Sequence, residues 1–361
     1  MNPELKNLRA VLKKAKTYVD VFGRHEKLSK DALTKAVKVE WRRLAAVAHA
    51  DKYSDAKDKE LAQEVFVLLN SFWIKAEIAL NASTYGDEVA SIKTKKHLFE
   101  HVIAFAAGDL SDVYRAKLGA KDVIVKVLRD PKDVDLLRAE EAALKKIHGY
   151  KSDTRLKERL PQVLDSFGIG PRPGLALEYF HGPTLADVIE AYPKGIDPRD
   201  AVWMFKRILG ILSFTHKAGV THGAILPTHI VLDLEPHAAA LIGWGYSVDH
   251  EKKLVAIAGK YRAYYPTEVF DKKPVGPETD LFMLGKTMTA LMGGDVVSGE
   301  LPERVPRPLR ALLRSLTLKD RPLRPDDASI IHRTLDEGLE KMFGPRKYRK
   351  FEMPGAANKN T

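Results

Sequence analysis

Lys126 stands in the middle of VIVKV, an ammonium set among valines. A charge in that setting needs a counter-ion or a water-filled cleft, because burying it unpaired is costly. Further along, THGAILPTHIVL carries two imidazoles, His222 and His229. An imidazole can ligate a transition metal but is a poor ligand for magnesium, which prefers oxygen. The chain contains no cysteine, so disulfides and thiolate metal sites are excluded. Near the N-terminus, His49, Ala50 and Asp51 lie between two helical patterns, and near the C-terminus GPRKYRKF gathers Arg346, Lys347, Arg349 and Lys350 into one basic stretch.

The elements that must position these residues fall into two groups. Residues 1–87 are helical in pattern. Leu5, Leu8, Leu12, Ala15, Tyr18, Val19 and Phe22 recur at spacings of 3 and 4 and predict a first helix ending at Gly23. Ser29 is placed to cap a second, which shows Leu33, Val37, Trp41, Leu44 and Ala48 on one face. A third runs through ELAQEVFVLLNSFWIKAEIAL, and the last two, joined by HADKYSDAKDK, form an antiparallel hairpin. Residues 88–97 read as a charged linker. HVIAFAAGD, SDVYRAKLG and KDVIVKVLR then alternate as strands do, followed by the helix VDLLRAEEAALKKI, the strand LALEYF and a mainly helical remainder. The fold class is α+β, with a small antiparallel sheet and one helix ahead of a larger helical lobe. Residues 344–361 read as a basic, flexible tail.

With 361 residues, 45% of them hydrophobic, the chain can bury substantial cores in two or three domains. A net charge of +11 favours acidic partners, but the cations are interleaved with 48 acidic residues, so nucleic acid is a minor candidate. No run of roughly 18 apolar residues appears, and MNPELKNLRAVLKKAK lacks the apolar core of a secretory signal. The expectation is a cytoplasmic protein with no membrane span.

Residues 15–87 resemble a J domain, the module by which DnaJ-type cochaperones stimulate Hsp70-type chaperones. YVDVFG stands where that family ends its first helix, and the second helix carries Lys35, Lys38, Arg42 and Arg43. The family's His-Pro-Asp reads His49, Ala50, Asp51 here. Alanine keeps the flanking groups but removes the proline that stiffens their turn. The resemblance therefore implies a degenerate J-like domain, either a docking or spacer element or a working cochaperone module.

Residues 98–343 resemble protein kinases in an ordered, collinear way, implying a bilobal fold with a sheet lobe over residues 98–180 and a helical lobe over residues 181–343. AAGDLSDVY stands at the glycine-rich loop, keeping Gly108 and Val113, with Ala106 and Ser111 at the other glycine positions. Backbone amides approach phosphates closely there, and side chains obstruct the approach. Lys126 matches the phosphate-binding lysine and Glu140, in RAEEAALKKI, its carboxylate partner; the pair would be structural or would hold nucleotide phosphates. LALEYF resembles the hinge, where the backbone of Glu178 to Phe180 would face an adenine. His222 keeps the framework of the catalytic loop. YYPTE with Glu268 resembles the end of the activation segment, Arg324 is its partner, and Asp280 matches the aspartate that ties a central helix to the loop.

What the resemblance shows missing is chemistry. Ala224 replaces the aspartate that orients and deprotonates the acceptor hydroxyl, and a methyl group does neither. His229 replaces the metal-binding asparagine. LIGWGYS replaces Asp-Phe-Gly, with Gly243 where the principal metal carboxylate belongs. Loss of one such group costs on the order of 3 kcal/mol in the barrier. The leading reading is a pseudokinase that acts as a binding or regulatory scaffold, with a protein partner that would include an Hsp70-type chaperone. Its cofactor is ATP without magnesium, or none. Two alternatives stand beside it: an ATP-dependent kinase or nucleotidyl transferase of unusual mechanism, drawing on acids such as Asp233 or Asp249, and an Hsp70 cochaperone.

Overall fold

The computed structural model describes residues 2–25, 28–82, 85–86, 91–108, 110–151 and 154–354. It divides into two compact units, Met1–Lys132 with Leu164–Leu177, and Asp133–Val163 with Glu178–Thr361.

The first unit begins with α1 (Pro3–Lys14), whose leading amides of Glu4 and Leu5 donate to Asn2 Oδ1. The apolar periodicity predicts one helix through Phe22, but the chain breaks and restarts as α2 (Tyr18–Phe22). The reason is local. Thr17 and Asp20 form a capping box, the amide of Thr17 donating to Asp20 Oδ2 at 2.8 Å and that of Asp20 to Thr17 Oγ1 at 3.3 Å, and these bonds displace the continuing helix. Ser29 Oγ accepts from Ala32 at the start of α3 (Lys30–Val47). Next comes α4 (Ala56–Ala82), whose 27 residues span about 40 Å. Leu5, Leu12, Phe22, Val37, Leu44, Val65 and Leu69 from the four helices share one core.

A further side of α4 serves a second core. Ile74 and Ile78 pack with Ile92, Phe99, Val102, Tyr114, Val123, Val125 and Val127 of the sheet, so helices and sheet share one element. The strands are β1 (Ile92–Lys93), β2 (Leu98–Ala107), β3 (Ser111–Leu118), β4 (Lys121–Leu128), β5 (Val163–Ile169) and β6 (Arg172–Glu178), ordered β1-β2-β3-β4-β6-β5. β1 falls inside the stretch read as a linker, where Ile92 is buried opposite Phe99 of β2. Of the predicted linker, residues 88–90 lie outside the described residues. β2 is irregular between Glu100 and Ile103, where His101 takes φ +52°.

The second unit contains α5 (Val134–Gly149), α6 (Thr154–Lys157), α7 (Leu185–Ala191), α8 (Pro198–Lys217), the pairs β7 (Val220–Thr221) with β10 (Val248–Asp249) and β8 (Ile230–Asp233) with β9 (Ala238–Leu241), then α9 (Thr267–Phe270), α10 (Pro277–Leu291), α11 (Arg307–Leu316) and α12 (Ala328–Phe343). α8 and α10 are buried through Phe205, Leu209, Leu212, Leu281, Met283 and Leu284. Of the tail predicted to be flexible, residues 344–354 are described, and they pack on the lobe. Phe351 is buried beside Tyr192, Tyr348 stacks on His237, Arg349 pairs with Asp197 and Asp200, and Arg346 pairs with Asp336. No described helix is long and apolar enough to cross a membrane.

Candidate functional site

Asp280, fully buried in α10, organises the loop between β7 and β8. Its carboxylate accepts from the amides of His222 and Gly223 at 2.8 Å and faces His216 Nε2 at 2.9 Å. Gly223 takes φ +72°, and a Cβ there would lie 2.7 Å from the carbonyl of Tyr246. His222 is buried with both ring nitrogens engaged, Nε2 donating to the carbonyl of Ile242 and Nδ1 accepting from the amide of Ala224. Burial pulls its pKa down to about 3, against the opposing pull of Asp280, so the imidazole is neutral and serves as framework.

The three altered positions meet around that framework. Ala224 is fully buried, and its carbonyl accepts from His229 Nδ1 at 2.9 Å. Gly243 adopts φ +80°, and a Cβ placed on it would fall 2.6–2.8 Å from three atoms of the His229 ring. The imidazole therefore occupies the room that a side chain at position 243 would enter. One packing arrangement thus joins the two positions. Trp244 next to them is fully buried, lies edge-on to His222 at 4.4 Å and donates its indole N–H to the carbonyl of Leu241. Its backbone amide donates to Glu140 Oε1 at 3.2 Å, so the carboxylate of α5 anchors the altered motif. Nothing in the sequence pattern signals that bond, which joins residues of unrelated segments.

Among the described residues, no group of three or more His, Cys, Asp or Glu side chains is placed to hold a metal ion. Asp233 pairs with Arg159 at 3.6 Å and Asp249 with Lys146 at 2.6 Å, both on exposed ground. Glu268 and Arg324 form a buried bidentate pair at 2.6 and 3.1 Å. The guanidinium also donates to the carbonyls of Leu318 and Lys319 and lies over the Phe282 ring. The amide of Glu178 donates to the carbonyl of Gln162 at 3.0 Å, while Phe180 is half-buried.

In the first unit, Lys126 of β4 stands opposite Val113 of β3. The turn from β2 to β3 is closed on itself. The Gly108 amide donates to the carbonyl of Ser111 at 3.0 Å, and Arg129 donates through Nη2 to the carbonyls of Gly108 and Ser111. An amide used that way is not offered to a phosphate. Between α3 and α4 of the same unit, His49 and Asp51 are exposed, with 3.7 Å between Nδ1 and Oδ2, and Ala50 starts a short turn whose Lys52 amide returns to the carbonyl of His49. Lys35, Lys38, Arg42 and Arg43 are exposed along α3, where Arg43 pairs with Glu40.

Comparison with known proteins identifies the fold and the family. The chain is 25% identical over 189 residues to a rice calcium/calmodulin-dependent serine/threonine-protein kinase 1, covering 50% of this chain and 30% of that protein. It is 29% identical over 122 residues to the rat NUAK family SNF1-like kinase 2, covering 33% and 19%. It is 26% identical over 157 residues to the Drosophila melanogaster serine/threonine-protein kinase PAK mbt, covering 42% and 23%. The chain thus spans less than a third of the length of these relatives. The crystal structure of a kinase domain superposes with a TM-score of 0.54 at 18% identity, over 67% of this chain and 96% of that one, which shows the fold. The protein kinase domain family matches residues 102–330, well over half of the 361, and the chain belongs to that family.

Proposed function

We propose that this protein keeps the kinase fold without phosphoryl transfer and works by binding, as a pseudokinase scaffold or switch joined to a J-like helical region. One observation carries the reading: His229 fills the space beside Gly243 and is bonded to the carbonyl of Ala224, the residue that the resemblance aligns with the proton acceptor. Phosphoryl transfer needs metal ions and positioned donors against developing charge. Here the metal-binding positions hold a glycine and an imidazole packed against each other. The framework contacts of Asp280, Glu268 and Arg324 remain, which favours a kept fold with a lost reaction. The reading of an enzyme with substitute acids is weakened because Asp233 and Asp249 are already committed to surface ion pairs.

The helical region would supply the second contact. Its exposed cations on α3, beside exposed His49 and Asp51, suit an acidic surface such as that of an Hsp70-type chaperone, steered by charge. Calorimetry with ATP on the full chain tests the scaffold reading. The full chain is needed because Ile74 and Ile78 belong to the sheet core. The expected heat is the same with magnesium as with EDTA, whether nucleotide binds through Lys126 or not at all. Magnesium that tightens binding about tenfold, or 1.4 kcal/mol, would refute it.

A further inference from the structure

Glu77 lies in α4, outside the kinase-matched residues 102–330, yet it opens a continuous chain of charges that ends at the β2–β3 turn. Its carboxylate accepts from Arg172 Nη1 of β6 at 3.0 Å. Arg172, whose side chain is 12% exposed, donates with Nη2 to Asp112 of β3 at 2.5 Å and with Nε to the carbonyl of Leu128 at the end of β4 at 2.6 Å. Asp112, also 12% exposed, holds Arg129 Nε at 3.3 Å. Arg129 in turn donates to the carbonyls of Gly108 and Ser111, while its own amide donates to that of Leu110. Tyr114, buried in the sheet core, flanks the cluster; burial and the Asp112 carboxylate push its hydroxyl pKa up. The Arg172–Asp112 pair at the middle of the chain is shielded and so stronger than one at the surface, while Glu77 is 28% and Arg129 44% exposed at its ends.

We propose that Glu77 is a positioning residue for the β2–β3 turn, so that α4 makes the helical region a regulator of that turn. This rests on the reading of the turn as the element that would face nucleotide phosphates. Asp112 is shared between two guanidinium groups. With Glu77 in place, Arg172 divides its charge between two carboxylates and leaves Asp112 free to hold Arg129. Without it, Arg172 draws on Asp112 alone, and the hold on Arg129 and on the two turn carbonyls loosens. α4 cannot move independently of the sheet, because Ile74 and Ile78 lie in the same core as Tyr114. A partner that shifts α4 therefore shifts the ion pair at its end, and the turn with it.

Hydrogen–deuterium exchange on the full chain, without nucleotide, tests this through peptides covering residues 106–113. Glu77→Gln keeps the shape and removes the charge. It should speed exchange of the turn amides about fivefold, the lower end of ordinary coupling between sites, while α1 and α3 keep their protection. Asp112→Asn, which cuts the chain at its middle, should do the same. Unchanged exchange in Glu77→Gln would overturn the proposal, even if Asp112→Asn were fast, since the turn would then be held locally. Should Glu77→Gln unfold α1 and α3, Glu77→Asp, which keeps the charge but draws the carboxylate back from Arg172, is judged by the same criterion. Because no nucleotide is added, the result stands apart from the scaffold reading: transfer activity would sink that reading and leave this one intact.

Discussion

Replacing Gly243 by aspartate is expected to destabilise the protein and to give it no activity. Position 243 is left-handed, at φ +80°, which costs a non-glycine residue roughly 1–3 kcal/mol. The new Cβ would also press on the His229 ring at 2.6–2.8 Å, adding an overpacking cost of about 1–3 kcal/mol. The two sum to roughly 2–6 kcal/mol, a large part of the stability of an ordinary domain. The second variant makes the reason visible. Gly243→Asp together with His229→Ala should regain the overpacking part and keep the backbone part. Chemical denaturation of both variants checks it, and a neutral Gly243→Asp would show that the ring does not set the limit. A carboxylate introduced at position 243 therefore meets the His229 ring before it can serve a metal.

The second large effect lies at Glu268. Its pair with Arg324 has side chains 5% and 0% exposed, and removing one partner of such a pair costs about 3–5 kcal/mol, since the remaining charge is buried without its counter-ion. Glu268→Ala should fall in that range by denaturant unfolding. The carbonyls of Leu318 and Lys319 still accept from Arg324, so the loss should approach the lower end. Glu268→Gln should cost less, because an amide oxygen can still accept one bond. A loss under about 1 kcal/mol in Glu268→Ala would place this pair with surface bridges, which are worth that little.

Much of this architecture is legible in the sequence because it is local. Alternation marks β2, β3 and β4, and the 3 and 4 spacing marks α3 and α5. What periodicity conceals is of three kinds. The break before Tyr18 depends on side chain to backbone bonds of Thr17 and Asp20, which a count of apolar spacing does not weigh. β1 is two residues long and has no period to display, and β5, in VLDSFGI, is interrupted by polar residues and glycine. The docked tail, the Glu140 bond to Trp244 and the chain from Glu77 to Arg129 join distant segments, so no single stretch announces them. At the site, the residue types at positions 224, 229 and 243 already suggest lost chemistry. That the histidine fills the space at the glycine emerges only from the folded chain.

The central claim is that the fold survives without the reaction. It is tested most directly by incubating the full chain with labelled ATP and magnesium, alone and with general protein and small-molecule acceptors, beside Lys126→Ala. The account predicts that label transfer by the natural chain equals that of Lys126→Ala and of a reaction without protein. Transfer of phosphate or nucleotide by the natural chain that vanishes in Lys126→Ala would contradict it.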